Sequence, residues 1–376
     1  MTRAGGYADP EAEAPHGLFH DALADWTNDD VLQTEAARAA LGARHPTGLR
    51  VLDWPELRAL FATYDPPATR HGRRDRRLGL LSVGLATLGL GLALLSPLAI
   101  GGERVMEMAA ATLVVAGLAI MGLHKFGATS QARALGQRFG AERVRALYFQ
   151  AVTNNLDLAA RAMADDAALD EWKTARARML AFLPRPEDLP GQIPKLAGAV
   201  DDDAETWVAP DWSRAPEPPE PSADLDLLLS LLRGQRLDAQ INYLERKLSA
   251  SLGAPGRRAA VVRGLRLFLL AAAAVTGLIA GVLMAMGRAP TNTDVKLALE
   301  VTAGAIVAVM ALGVINDGRR LAGDAKRYAT CSAAVSKARA RFDTGDLAEK
   351  LAALREVEIV CYRDLRAFVR NHWRSR

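Results

Sequence analysis

Two apolar runs, Leu267–Gly287 and Leu297–Ile315, are separated only by the polar link Arg288–Lys296, and no other feature narrows the possible folds as much. Each run is long enough to cross about 30 Å of hydrocarbon at about 1.5 Å of helical rise per residue. A link this short forces the two helices to lie antiparallel, as a membrane hairpin. The first run also carries a small residue at every fourth position: Ala273, Gly277, Gly281 and Ala285. In lipid no hydrophobic force drives helix against helix, so such a stripe lets another backbone come close enough for dispersion contacts.

A similar pair lies upstream. Five arginines within Arg70–Arg77 lead into the apolar run Leu78–Ile100, and a second run, Met108–Leu123, ends at His124-Lys125. The second run is short for a span, and snorkelling of Lys125 with local bilayer thinning makes up the difference. Gly84 to Gly91 lie inside the first run without the strand–helix context of a phosphate loop, so they do not read as one. The expected fold is an all-α membrane protein with two antiparallel transmembrane hairpins and long cytosolic helical extensions. Its four spans fall at about 78–100, 106–123, 267–287 and 297–315. Half of the residues are apolar and only 6 % are aromatic, a balance that suits Ala/Leu-rich helices better than sheets. Both links, 101–107 and 288–296, carry about as many acids as bases, whereas the outer flanks are rich in Arg and Lys. The positive-inside rule then places both termini in the cytoplasm of a multi-pass inner-membrane protein.

The domain plan has four parts. Residues 1–49 form an N-terminal cytosolic flank, disordered over 1–17, with Asp29 or Asp30 expected to cap a following helix. Residues 50–183 and 225–376 each contain one hairpin. Between them, 184–224 holds nine of the eighteen prolines and ten acidic residues against three basic ones, which predicts an extended acidic linker. Asp224 is expected to cap the helix after it, and Asp346 with Glu349 has capping-box spacing.

The net charge of +4 is gathered around the apolar runs, which reads as membrane orientation and gives no case for nucleic acid. Cys331 and Cys361 form no C-x-x-C, so neither a metal site nor a disulfide framework is indicated. No G-x-S-x-G, H-E-x-x-H or Walker loop is present; neither an enzyme nor a cofactor is expected. Glu107 and Glu300 stand at the outer start of a second membrane helix in each hairpin. In an oligomer they would form carboxylate rings at a pore mouth; alone they are helix N-terminal acids favoured by the macrodipole. Leu347, Leu351, Leu354, Glu358, Cys361, Leu365 and Phe368 repeat with 4,3 spacing, and Glu358 interrupts this seam. A polar residue on a seam can fix oligomer state, so Glu358 marks either an intersubunit contact or the edge of an internal stripe. Glu142 falls similarly between Phe139 and Phe149.

The halves follow one plan: an aromatic-containing polar helix, arginines, an apolar hairpin, then a long charged helix. Glu107-Met-Ala-Ala-Ala matches Glu300-Val-Thr-Ala-Gly, and Glu142-Arg143 with Tyr148-Phe149 parallels Glu358 with Tyr362 and Phe368. The Tyr243 helix, the Arg-flanked hairpin and the tail Tyr328…Glu358…Trp373 resemble one unit of the SLATT family, two-transmembrane effector domains associated with bacterial nucleotide-signalling and SLOG proteins. Tyr64-Asp65-Pro66-Pro67-Ala68 and Glu142…Phe149 resemble a second, more divergent unit. The resemblance implies a pore-forming membrane effector in anti-phage or conflict signalling, a homo-oligomer that permeabilises the bilayer once a cytosolic nucleotide-signalling or sensor protein is engaged. No separate sensor domain is visible in the chain. The alternatives are a non-conducting membrane anchor that recruits a cytosolic partner, and a small-ion or solute transporter.

Overall fold

A chain rich in Ala and Leu has good helix formers and little to place on a pleated surface. The computed structural model describes residues 30–95, 103–126, 128–198, 203–252, 254–289, 293–319 and 321–373, and every regular element among them is helical. The stretch 1–17 expected to be disordered lies outside the described residues. In chain order the helices are α1 (Glu35–Arg44), α2 (Pro46–Leu52), α3 (Pro55–Leu95), α4 (Glu103–Phe126), α5 (Ala128–Asn154), α6 (Leu156–Ala164) and α7 (Asp166–Met179). They continue with α8 (Leu189–Gly198), α9 (Ala223–Leu232), α10 (Ala239–Leu252), α11 (Ala254–Ala285), α12 (Thr293–Arg319), α13 (Leu321–Thr344) and α14 (Leu347–His372).

The caps differ from expectation in two places. Thr34 starts α1, its hydroxyl accepting from the Ala37 amide at 3.2 Å; Asp30 is buried instead. Ser222, not Asp224, starts α9 by accepting from the Leu225 amide at 3.1 Å. Asp346 does cap α14, accepting from the Glu349 amide at 2.9 Å. The aromatic-containing helix of the first half and the apolar run that follows it are continuous. They form the single helix α3, which runs through Pro66 and Pro67 although each proline removes one N–H from the ladder.

The chain divides into two units. The first, a helical body, comprises Met1–Thr69, Thr129–Leu248 and Arg327–Arg376. Its core is built around fully buried Trp172, Tyr64, Tyr148, Phe61 and Phe149. The C-terminal end of α2 leaves carbonyls without helical partners, and side chains supply them. Trp172 donates to the Val51 carbonyl at 3.1 Å, Tyr148 to that of Leu52 at 2.9 Å, and Arg176 to that of Asp53 at 2.8 Å.

The expected linker 184–224 is largely folded into this body, which corrects the boundary drawn there. Within it, α8 buries Leu189, Ile193 and Leu196, one helical stripe. Gly136 and Gly140 of α5 allow the approach: a Cβ at Gly136 would stand 3.1 Å from that of Leu189, and one at Gly140 2.8 Å from the Tyr64 ring. Trp207, Val208 and Ala209 are buried too. Among the described residues of this segment, 184–188 and 214–222 lack helix and stay largely exposed.

The second unit, the hairpin unit, comprises Arg70–Ala128 and Ser249–Lys326. Small residues hold its helices together, as dispersion-driven pairing requires. Between α3 and α4 a Cβ at Gly89 would lie 2.6 Å from the Ala110 carbonyl oxygen, and one at Gly117 2.8 Å from that of Ser82. Between α11 and α12, Ala273, Ala280, Ala298 and Ala305 are buried, and the hydroxyls of Thr276 and Thr302 meet at 2.7 Å. Helix α11 closes with a Schellman turn. The Arg288 amide donates to the Leu283 carbonyl and the Gly287 amide to that of Met284, with Gly287 at φ +83°, a conformation suited to glycine.

Among the described residues one helix, Gly264–Ala285, is long and apolar enough to cross a membrane, and 11 % of its most apolar stretch is buried inside the protein. Gly84–Ala93 is a shorter apolar helix. The spans expected at 78–100, 106–123 and 297–315 each run partly into side chains outside the described set.

The glycines make a paired prediction. Gly89→Ala is expected to force α3 and α4 apart, with an overpacking cost of about 1–3 kcal/mol. Gly84, with nothing within 4 Å of its added Cβ, should accept alanine with no loss. Thermal unfolding of the full chain in a neutral maltoside detergent distinguishes them; equal melting temperatures would refute the close contact.

Candidate functional site

The helices of the body carry more charge inward than an apolar core tolerates without pairing. Arg143, Arg145, Arg236, Arg355, Arg366, Asp30, Asp238 and Glu358 are all buried. Two of these acids, with Glu142, organise a cluster. Arg145 of α5 donates to Asp30 at 2.9 Å and to Glu142 at 2.5 Å. Glu142 also takes Arg138 at 2.5 Å. Glu358 of α14 accepts from Arg236 at 2.6 Å and from Gln150 at 3.4 Å. Arg236 stands 3.9 Å from Asp30 and stacks over Phe149 at 4.6 Å, so one guanidinium joins both halves of the cluster.

Local structure explains how Arg236 arrives there. Arg233–Asp238, between α9 and α10, is a π-helical stretch in which Gly234 through Asp238 are all buried. Five consecutive residues cover about a full turn of either helix type, so this stretch is enclosed on every side. Glu142 and Glu358, parallel in the two halves of the sequence, sit on helices that pack side by side. Arg143 lies over the Tyr362 ring at 5.4 Å, Gln150 meets Glu358, and Asn154 accepts from Arg355 at 2.9 Å. Rising numbers on α5 against falling ones on α14 make the pair antiparallel.

Burial raises the carboxyl pKa of Asp30 and of Glu358, with their arginines pulling the other way. Burial also acts to raise that of Glu142, but Arg138 and Arg145 override it and hold the group at about 2. The seam of α14 therefore closes within the protomer. Leu351, Leu354, Glu358 and Leu365 are buried in the body, with Leu347, Cys361 and Phe368 packed against it, so Glu358 lies on an internal packing stripe.

The folded part of 184–224 is tied to the same helices. Arg143 donates to the carbonyls of Glu205, Thr206 and Trp207 at 3.1, 2.8 and 3.0 Å. Gln150 accepts from the Val208 amide at 2.8 Å. Arg355 lies 3.9 Å over the Trp207 ring and donates to the Trp212 carbonyl at 2.8 Å. The acids of this segment pair with α14, Asp203 with Arg363 at 2.6 Å and Glu205 with Tyr362 at 3.1 Å.

Beside the cluster a cavity of about 270 Å³ opens. Its wall holds five cationic side chains, Arg138, Arg145, Arg236, Lys247 and Arg327, against the carboxylates Glu142 and Asp364. Tyr243, Tyr328 and Phe368 add rings, and Gln240 an amide. Arg327 pairs with Asp364 at 2.5 Å and lies over Tyr328 at 4.5 Å. Burial pushes the Asp364 carboxyl up to about 6 against the pull of Arg327. The Cys361 thiol in the same wall is pushed up to about 12, burial again being the main cause. Neither cysteine is in a disulfide, and among the described residues no group of His, Cys, Asp and Glu is placed to hold a metal ion.

These shifts give a pH prediction. Asp364 titrates near 3.8 when unfolded and at about 6 when folded, so between those values the folded state holds the extra proton. Stability through this group therefore falls as pH rises from about 4 to about 6, by on the order of 2–3 kcal/mol. Asp30 and Glu358 act in the same direction. Glu142 works oppositely: its stabilisation is complete above its ordinary 4.5 and is lost as pH falls toward about 2. Asp364→Asn is expected to flatten the melting-temperature profile of the detergent-solubilised chain between pH 4 and 6; an unchanged slope would show that Asp364 is not its source.

The other expected site residues lie in the hairpin unit. Glu107 is exposed on α4. Glu300 is half-buried on α12 with its carboxylate 3.8 Å from the Lys296 ammonium. No described contact joins the two acids. The small-residue stripe divides: Ala273 is buried and Gly277 faces Thr302 at 3.6 Å, whereas Gly281 has nothing within 4 Å and Ala285 is exposed. Sequence reasoning missed Asp30, Arg145, Arg236 and Asp364, since isolated charges on polar helices carry no spacing signal. Trp207 and Trp212 were a usable signal: two large aromatics inside a stretch otherwise composed like a disordered tether. No protein-family model matches the chain, and no curated protein or solved structure matches it either.

Proposed function

We propose that this chain is an inner-membrane effector of the SLATT kind, with two transmembrane hairpins that assemble with other copies and permeabilise the bilayer on a cytosolic cue. One observation carries the reading: large apolar side chains stand exposed on all four hairpin helices. Leu88 of α3, Val115 and Leu118 of α4, Phe268 and Leu278 of α11, and Val301 of α12 are between 42 % and 69 % exposed. Soluble monomers seldom leave contiguous apolar patches beyond a few hundred Å² uncovered. Hydrocarbon is the solvent that suits faces on every helix of a pair at once. The arginine-rich flanks favour cytoplasmic termini, and the folded charge network of the body suits a cytosolic control module. An anchor recruiting its partner through Glu358 has less support, because that carboxylate is engaged by Arg236 and Gln150.

The free face at Gly281 and Ala285 is the surface through which copies would meet. A Cβ added at 281 would meet no atom within 4 Å, so a leucine there starts into open space and reports on contacts between copies. The test is dye release from liposomes carrying the full chain, with and without extract from infected bacteria. Release in at least one condition, reduced together with oligomer size by Gly281→Leu, is expected. Silence in every condition would overturn the pore reading, and an unaffected variant would overturn the packing face.

A further inference from the structure

The cavity of the helical body collects a chemistry that its internal pairing does not use up. Asp30 and Glu358 stand behind Arg145 and Arg236 and neutralise them there. At the cavity wall remain Arg138, Lys247 and Arg327 with Glu142 and Asp364. Lys247 has no carboxylate partner among the described residues. Its ammonium lies 5.4 Å over the Tyr243 ring, in the same wall as Arg138. Three cations and three aromatic rings thus border one opening.

We propose that this cavity binds a small phosphate ester carrying a planar aromatic ring, the chemistry of a nucleoside phosphate. Lys247, Arg138 and Arg327 take the phosphate oxygens, and Tyr243 stacks with the ring. Arginine contributes a fork of donors of which one carboxylate uses only part, so Arg138 and Arg327 can serve an anion without abandoning Glu142 and Asp364. A volume of about 270 Å³ lies just below the roughly 300–1,000 Å³ of ligand pockets, and so favours a ligand no larger than a mononucleotide. Binding stands independently of the pore reading; only the use of such a ligand as the cytosolic cue rests on it.

The experiment is calorimetric titration of the full chain in a neutral maltoside with AMP, ribose 5-phosphate and glycerol 3-phosphate. AMP is expected to bind about tenfold more tightly than ribose 5-phosphate, the contribution of one stacked base. Lys247→Glu, at an exposed position, should leave the melting temperature of the unliganded chain unchanged and weaken AMP at least tenfold. Tyr243→Leu should remove the preference for AMP over ribose 5-phosphate. Absence of AMP binding, or AMP binding undiminished in Lys247→Glu, overturns the proposal. Glycerol 3-phosphate binding as tightly as AMP also overturns it, by reassigning the site to a phospholipid headgroup. Leakage is not read here, so failed binding leaves the hairpin reading standing, and failed leakage leaves the site standing.

Discussion

Arg236→Met is expected to destabilise the helical body by about 3–5 kcal/mol, the cost of leaving a buried charge without its partner. Glu358 is 3 % exposed and would keep only the Gln150 amide at 3.4 Å. Asp30 would lose its second guanidinium. Removing both charges is a different matter, because a buried pair replaced by apolar groups of similar size is often neutral. The double variant Arg236→Met/Glu358→Leu should therefore recover most of the loss, remaining about 1 kcal/mol below the parent for the missing contact between Arg236 and Phe149. Urea unfolding followed by tryptophan fluorescence is a clean readout, since all six tryptophans fall within the three stretches of the body. Additive losses in the double variant would show that the two residues do not act as a pair.

The second large effect concerns the hairpins. Val275 lies near the middle of Gly264–Ala285 and is 57 % exposed. If that face meets hydrocarbon, Val275→Arg costs about 2.5–3.5 kcal/mol of insertion free energy, on the order of a hundredfold in the inserted fraction. If the face meets water, the same substitution is neutral. Carbonate extraction of the full chain from membranes, with glycosylation sites placed in the link 288–296, reads insertion directly. Full insertion of Val275→Arg would exclude a lipid-facing position. Gly277→Ala is the control, since its added Cβ meets only Thr302 at 3.6 Å.

What could be read from the sequence was whatever depends on local period and composition. The helical class, the antiparallel pair α11 and α12 and the cap at Asp346 all follow from runs, spacing or a single turn. The unread parts depend on partners distant in sequence. Glu358 looked like a polar defect on a seam because its guanidinium sits more than a hundred residues earlier, on a π-helical stretch that no periodicity announces. The segment 184–224 looked like a tether because its composition is that of one. It folds because Arg143 and Arg355, on other helices, accept the burden of its carbonyl groups, and because Trp207 supplies a ring for Arg355 to cover. Gly136 and Gly140 likewise carry no local signal, and what they make room for, Tyr64 and Leu189, lies far away in sequence.

The body is assembled from three stretches between which the sequence of the hairpin unit is inserted, and this has a consequence for synthesis. The partner of Arg236 lies on α14, which leaves the ribosome after the other helices of the body. Until then Arg143, Arg236 and Asp30 belong to an incomplete fold with mismatched charge, while all four apolar runs have already emerged. Emergence of the apolar segments thus precedes completion of the helical body. A chain cut short before residue 358 would carry every apolar run and no finished body.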